Sequence, residues 1–230
     1  MLRGYTVISM IAFHAVYDIA YLYGFAVPWF TVGPMRELWR ISISWVFLAL
    51  AGWMTIHSRN NARRGCQYAV VAILVWIVTS IVRVDTPISF GIIYCMAACT
   101  LGFALLERTV LARPWSARSL GALAGICMIL ALACYQVPRA RYGISGLAWL
   151  GFPSPGFASG DYYPLIPFGF IYLAGALLAR AWRQQGTGAY PAWFASIHCA
   201  PLEVVGRHAL LLYMVHQPVV LICLRLCLGT

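Results

Sequence analysis

Residues 67–84 read QYAVVAILVWIVTSIVRV and contain a single charged side chain, Arg83. At the α-helical rise of about 1.5 Å per residue, a stretch of this length spans the hydrocarbon core of a lipid bilayer. Soluble domains carry about 25% charged residues and do not present such a surface to water. The stretch therefore predicts a transmembrane helix.

The rest of the chain follows the same pattern. Of the 230 residues, 62% are hydrophobic and only 10% are charged. Apolar blocks of about 20 residues recur along the whole sequence, at 5–25, 38–56, 67–84, 88–106, 118–136, 163–181 and 205–226. We predict an all-α, polytopic membrane helical bundle of about seven transmembrane helices that forms one domain over residues 1–230.

The basic residues indicate how the helices are oriented. The net charge is +10, and its arginines are distributed over the short connections between blocks, so they do not form the basic stripe that binds nucleic acid. The densest basic segment, residues 58–64 (SRNNARR), lies between the second and third blocks. The positive-inside rule places it in the cytoplasm, and alternation then predicts an N-in/C-out topology.

Two ionisable residues, His14 and Asp18, lie within the first apolar block. On a helix, a spacing of four residues puts both side chains on one face, separated by about 6 Å along the axis. Inside a membrane each such residue costs about 2.5–3.5 kcal/mol, so each requires a partner or a function. A carboxylate that orients an imidazole lets the second ring nitrogen act as a general base. We predict a catalytic His14–Asp18 pair; a pair that only stabilises helix packing is the alternative.

The last block contains a second intramembrane histidine, in the stretch Tyr213-Met-Val-His216-Gln217-Pro218. Pro218 has no N–H to donate to the carbonyl of Met214, which opens the backbone beside His216. We predict that His216 is catalytic and that Gln217 and Tyr213 bind substrate. A hydrogen bond between helices is the alternative role for this histidine.

Charged residues near the predicted helix ends complete the candidate site. Arg40 and Asp161 lie at predicted outer ends, and we expect both to bind substrate, with interfacial salt bridges as the alternative. On the cytoplasmic side, Arg3, Arg64 and Arg207 are predicted to bind the phosphates of a nucleotide-bearing donor, or else to anchor the helices. The eight cysteines show no metal-ligand spacing, so we predict no metal site.

The motifs together resemble the catalytic domain of heparan-alpha-glucosaminide N-acetyltransferase, in the form found in its bacterial relatives. They occur in the family order and bracket nearly the whole chain. The resemblance rests on residues 2–4 (LRG) with 14–18 (HAVYD), 90–93 (FGII), 161–167 (DYYPLIP) and 206–218 (GRHALLLYMVHQP). Tyr94 stands where the family frequently has a histidine, and no acidic residue precedes Arg3.

The resemblance implies transfer of an acetyl group from cytoplasmic acetyl-CoA at a transmembrane site. We expect the acceptor to be an amine or hydroxyl on a sugar, glycan or lipid headgroup. We also expect His14 to act as the base, Asp18 to orient it, and His216 or Gln217 to bind or polarise the thioester. The expected location is the bacterial inner membrane. We expect membrane lipids as partners and no nucleic acid, and a homo-oligomer is possible. Two alternatives remain: a transporter or lipid carrier with a polar intramembrane pathway, and a scaffold with polar packing contacts.

Overall fold

The computed structural model describes residues 1–83, 85–186 and 198–228, and all regular secondary structure in these ranges is helical. The helices are α1 (Leu2–Tyr17), α2 (Pro28–Thr31), α3 (Met35–Trp53), α4 (Asn61–Val82), α5 (Ile92–Arg108), α6 (Ala117–Ala133), α7 (Leu165–Gln184), α8 (Ala200–Arg207) and α9 (Ala209–Leu228). The described residues form two compact units. The first unit contains residues 1–47 and 198–228, and the second contains residues 48–83 and 85–186.

Six helical stretches in the described chain are long and apolar enough to cross a membrane: Leu2–Leu22, Met35–His57, Asn61–Val82, Ala117–Arg139, Leu165–Gln184 and Ala209–Leu228. They identify an all-helical, multi-pass membrane protein. The predicted fourth block forms α5, whose 17 residues lie at the lower limit of about 17–25 residues for a span. The count of seven transmembrane helices and their orientation stay predictions.

Large apolar side chains project away from the protein along several of these helices. Ile81 of α4 is 74% exposed, Leu132 of α6 60% and Leu226 of α9 80%. In water such surfaces would be strongly unfavourable, whereas lipid tails solvate them as well as a protein core does. The exposed faces therefore fit a bilayer.

The helix limits differ by a few residues from the predicted blocks, most clearly in α4. This helix begins at Asn61, because the Asn60 side chain accepts a hydrogen bond of 2.9 Å from the backbone N–H of Arg63 and caps the first turn. The basic residues of this segment are consequently helical. Val84, the last residue of the predicted block, lies outside the described residues.

In the first unit, α1 packs along both α8 and α9. Near the start of α1, a Cβ added to Gly206 would lie 3.1 Å from the backbone nitrogen of Gly4, so the two backbones nearly touch. Further along α1, Asp18 contacts Gln217 of α9. Since the contacts advance in the same direction along both segments, α1 and α9 run parallel.

The second unit is built around α7, which packs against α5 and α6. Tyr172 of α7 is fully buried, and its hydroxyl lies 2.8 Å from Oγ1 of Thr100 on α5. Gly52 and Gly175 bring the end of α3 and the middle of α7 into backbone contact. Without a hydrophobic driving force between helices in lipid, such close packing is what stabilises their association.

Candidate active site

At Asp18, α1 widens into a π-helical turn, Asp18–Leu22. Turns of this kind are rare and are frequently found at functional sites. The Asp18 side chain is buried, and its two carboxylate oxygens accept hydrogen bonds of 3.1 and 2.9 Å from Nε2 of Gln217. A polar contact therefore joins α1 to α9 within otherwise apolar helices.

His14 and His216 lie side by side, with ring centroids 4.9 Å apart and ring planes inclined by 55°. Nδ1 of His216 donates a hydrogen bond of 2.6 Å to the backbone carbonyl of Tyr213. In the neutral ring this bond fixes the tautomer and leaves Nε2 as an acceptor. Nε2 is buried and has no hydrogen-bond partner among the described residues.

Gln217 presents a second acceptor of the same kind. Its amide nitrogen is bonded to Asp18, while its Oε1 is buried and has no donor within the described part of the chain. A buried acceptor left without a donor costs about 1–3 kcal/mol. The group formed by His14, Asp18, Tyr213, His216 and Gln217 is called the polar cluster below. It offers two buried acceptors to N–H or O–H groups.

Aromatic side chains pack against the polar cluster. Phe13 meets the His14 ring edge to face, with centroids 5.8 Å apart, and also contacts Phe30 and Trp39 at 5.4 Å each. Phe30 is fully buried. This packing gives the His14 imidazole apolar surroundings. In such surroundings hydrogen bonds and charge interactions are stronger than in water.

The structure brings together five predicted site residues: His14, Asp18, Tyr213, His216 and Gln217. It gives Asp18 a hydrogen bond to Gln217 and places His14 beside His216. The direct catalytic pairing of His14 with Asp18 stays a prediction.

Three residues of the first unit that were predicted to bind substrate or donor do not belong to the polar cluster. Arg40 forms a bidentate ion pair with Glu37 one turn away on α3, with bonds of 2.9 and 2.8 Å. Arg207 is 72% exposed and has Nη2 3.9 Å from Oε2 of Glu203. The hydrogen bond from His198 lowers the pKa of Glu203, so this carboxylate is ionised at neutral pH. Arg3 lies in the first turn of α1.

Arg64, in the second unit, uses its guanidinium to join two helices. Nη2 donates to the carbonyl of Ala51 on α3 at 2.6 Å, and Nε lies 3.1 Å from the hydroxyl of Tyr68. These two donors are therefore engaged in packing contacts.

Asp161 also lies in the second unit, where it joins two of the motifs. Its Oδ2 accepts a hydrogen bond of 3.1 Å from the backbone N–H of Ile92, the first residue of α5, and the N–H of Tyr163 donates to the carbonyl of Phe90 at 2.9 Å. Burial raises the pKa of the neighbouring Tyr162 to about 12, so its hydroxyl stays protonated while it donates to the carbonyl of Ala148. The FGII and DYYPLIP motifs are thus held together by hydrogen bonds.

Replacing Asp161 with alanine is expected to destabilise the protein by about 1–3 kcal/mol, because a charged acceptor is lost from the N-terminus of α5. For a chain of this size the midpoint of thermal unfolding in detergent should fall by about 2–10 °C. Asp85→Ala, which removes an exposed carboxylate bonded only locally to Thr86, is the control and should shift the midpoint little. Equal midpoints for the two variants would contradict the capping role.

Thr55, Asn61 and Glu107 form a hydrogen-bonded group that was not predicted from the sequence. Asn61 is 7% exposed, and its Nδ2 donates to Oε2 of Glu107 at 2.9 Å and to the carbonyl of Thr55 at 3.2 Å. In the sequence, this group was indicated only by an acidic residue at the end of one apolar block and by an asparagine pair before another. Within the described ranges, no group of three or more His, Cys, Asp or Glu residues is arranged to bind a metal ion.

Comparison with known proteins supports one family. No curated protein and no solved structure matches the chain significantly. The family model for heparan-alpha-glucosaminide N-acetyltransferase, catalytic, matches residues 1–218, a range that contains the whole polar cluster and all the motif stretches. The chain therefore belongs to the family of the heparan-alpha-glucosaminide N-acetyltransferase catalytic domain, and this membership makes it a membrane acetyltransferase.

Proposed function

We propose that the protein transfers an acetyl group from acetyl-CoA to an amine or hydroxyl acceptor at the polar cluster. The observation that carries this proposal is that Nε2 of His216 and Oε1 of Gln217 are buried acceptors without a partner among the described residues, in the cluster where the two imidazoles lie side by side. An amine or hydroxyl nucleophile supplies the missing N–H or O–H donor. We infer that the acceptor is a sugar, a glycan or a lipid headgroup.

In the proposed reaction, His14 is the general base, because its ring lies beside that of His216, with centroids 4.9 Å apart, while His216 holds its own tautomer through the carbonyl of Tyr213. It takes the proton of the nucleophile as the nitrogen or oxygen bonds to the thioester carbonyl carbon. The carbon–sulfur bond then breaks, and the imidazolium returns the proton to the leaving thiolate of coenzyme A. The negative charge of Asp18 stabilises the imidazolium in the meantime.

The geometry refines the roles of His216 and Gln217. Polarising a thioester carbonyl requires hydrogen-bond donors, but the amide N–H groups of Gln217 face Asp18, and Nδ1–H of His216 faces the carbonyl of Tyr213. The atoms left over are acceptors. We therefore assign His216 and Gln217 to binding the acceptor molecule through a second N–H or a neighbouring O–H, since His14 takes the proton of the attacking atom, with Tyr213 fixing the tautomer of His216.

For the donor, we propose that arginines at the starts of helices hold the phosphates of acetyl-CoA. Arg207, just before α9, is the most accessible of the predicted set, with 72% of its side chain exposed. Arg3 lies in the first turn of α1 and Arg64 near the start of α4. Arg40, at the start of α3, is proposed as a residue on the acceptor side.

The parallel packing of α1 and α9 supports the proposed topology. Parallel neighbours in a bilayer start on the same side, which requires an odd number of spans from the first helix to the last. The six candidate spans together with α5 give seven. We therefore propose seven transmembrane helices, an N-in/C-out topology in the bacterial inner membrane, and one domain over residues 1–230.

Labelled acetyl-CoA tests the function directly. Purified protein in lipid nanodiscs is expected to bind acetyl-CoA saturably, hydrolyse it slowly, and transfer the label faster when glucosamine is added. A radioactive acetyl group is the appropriate label, because the eight cysteines of the chain interfere with thiol-based detection of released coenzyme A. Glucose in place of glucosamine distinguishes hydroxyl from amine acceptors. Folded protein that neither binds nor hydrolyses acetyl-CoA would rule the proposal out.

A further inference from the structure

The second unit contains a cavity of about 290 Å³ at the junction of three helix ends. It lies where the 3₁₀ turn Met54–His57 leads into α4 and where α5 ends. The polar side chains that line it include those of Thr55, Arg59, Asn61, Glu107, Arg108 and Arg183.

Two buried polar atoms in the lining have no hydrogen-bond partner in the described chain, Oγ1 of Thr55 and Oδ1 of Asn61. The side chains are 2% and 7% exposed, respectively. The orientation of the Asn61 amide is fixed, because its nitrogen donates to Glu107 and to the carbonyl of Thr55. Buried polar groups normally have partners, so both atoms point to a ligand that offers hydrogen bonds.

The charges around the cavity favour an anion. Arg59 and Arg108 are exposed at the cavity and make no ion pair or side-chain hydrogen bond with the described residues. Among the described residues, Arg183 makes one long hydrogen bond, 3.4 Å, to the carbonyl of Ile56. The single carboxylate of the lining, Glu107, is balanced by Arg180 at 3.8 Å. The N-terminus of the 22-residue helix α4 adds further positive potential.

The size and position of the cavity further restrict the class of ligand that it can bind. Pockets for small molecules typically measure about 300–1,000 Å³, so this cavity suits a headgroup-sized ligand better than a whole nucleotide. The cavity lies at the ends of candidate membrane spans, where arginines meet the phosphates of anionic lipids.

We propose that this cavity binds a glycerophosphate group. Arg59, Arg108 and the start of α4 hold the phosphate, while the glycerol hydroxyls bond to Oγ1 of Thr55 and Oδ1 of Asn61. The group comes from one of two sources, the headgroup of phosphatidylglycerol or a soluble glycerol phosphate. This binding does not depend on the acetyl-transfer function proposed above.

Binding assays on the full chain test the site and identify the source. Glycerol 1-phosphate is titrated onto detergent-purified protein while thermal unfolding is followed, and phosphatidylglycerol retention is measured by native mass spectrometry. Binding of glycerol 1-phosphate assigns the site to a soluble ester, and binding of the lipid alone assigns it to the membrane. If wild-type protein binds neither, the proposal is overturned.

The double variant R59Q/R108Q is expected to bind at least tenfold more weakly than wild type. The matched control is R113Q/R118Q, which removes two exposed arginines outside the cavity and should leave affinity unchanged. If both double variants weaken binding equally, the effect comes from net charge alone, and the proposed site is wrong.

Thr55→Val separates ligand binding from folding. Because the Thr55 hydroxyl has no hydrogen-bond partner among the described residues, its replacement by a methyl group of similar size should leave the ligand-free unfolding midpoint unchanged or raised. The same variant should bind the glycerophosphate group several-fold more weakly. Wild-type affinity in this variant contradicts the assignment of the hydroxyl to the ligand.

Discussion

Replacing His14 with glutamine is expected to slow acetyl transfer by about 10²–10⁴-fold, the usual contribution of a positioned general base. Glutamine keeps a polar side chain of similar size but cannot take up a proton near neutral pH. Binding of acetyl-CoA should be nearly unchanged, because the proposed phosphate contacts lie elsewhere. Initial rates and equilibrium binding with labelled acetyl-CoA measure the two quantities separately.

His208→Gln is the matched control, since His208 is exposed between α8 and α9 and lies outside the polar cluster. It should retain the wild-type rate within about twofold, an effect well below the expected contribution of a base. His216→Gln is expected chiefly to raise the KM for the nucleophile. If His14→Gln transfers acetyl at the wild-type rate while His216→Gln does not, the base is His216 and the proposed assignment is wrong.

The second large effect is expected at Gly175, where α7 contacts α3. A Cβ at this position would overlap the backbone carbonyl oxygen of Ala49, and a backbone atom cannot move aside as a flexible side chain can. Gly175→Ala should therefore destabilise the second unit by about 3 kcal/mol, the upper end of the range for overpacking. We expect a much lower unfolding midpoint, or little folded protein in fluorescence-detected size-exclusion chromatography.

Gly125→Ala provides the comparison, because Gly125 lies in α6 and an added Cβ there meets no atom within 4 Å. Alanine favours a helix interior over glycine by about 0.5–1 kcal/mol, so this variant should unfold at the same temperature or higher. Similar unfolding midpoints for Gly125→Ala and Gly175→Ala would show that the α3–α7 contact tolerates a methyl group.

The helices were predictable from the sequence because bilayer thickness imposes their length. The first and last residues of the helices were less predictable, because hydropathy detects only the lipid-facing part of a helix. Helix α4, for example, starts six residues before its predicted block, at the Asn60 cap. The short helix α8 was not predicted as a separate element. It is amphipathic and packs beside α1, which a search for long apolar blocks does not detect.

The polar cluster could be predicted from the sequence because ionisable residues are rare inside apolar blocks. His14, Asp18 and His216 were identified on that ground. The bond between Asp18 and Gln217 was not predictable, since it links residues 199 positions apart and depends on how each helix is rotated. Thr55 and Asn61 were missed because they belong to a polar connection, where polar residues are ordinary.

The bond between Asp18 and Gln217 also bears on how the protein is made. At a synthesis rate of about 5–20 residues per second, the ribosome delivers Gln217 on the order of 10–40 s after Asp18. During that interval the Asp18 carboxylate lacks this partner, although its own helix has already been synthesised. The polar cluster is therefore completed only when α9 joins α1 in the membrane.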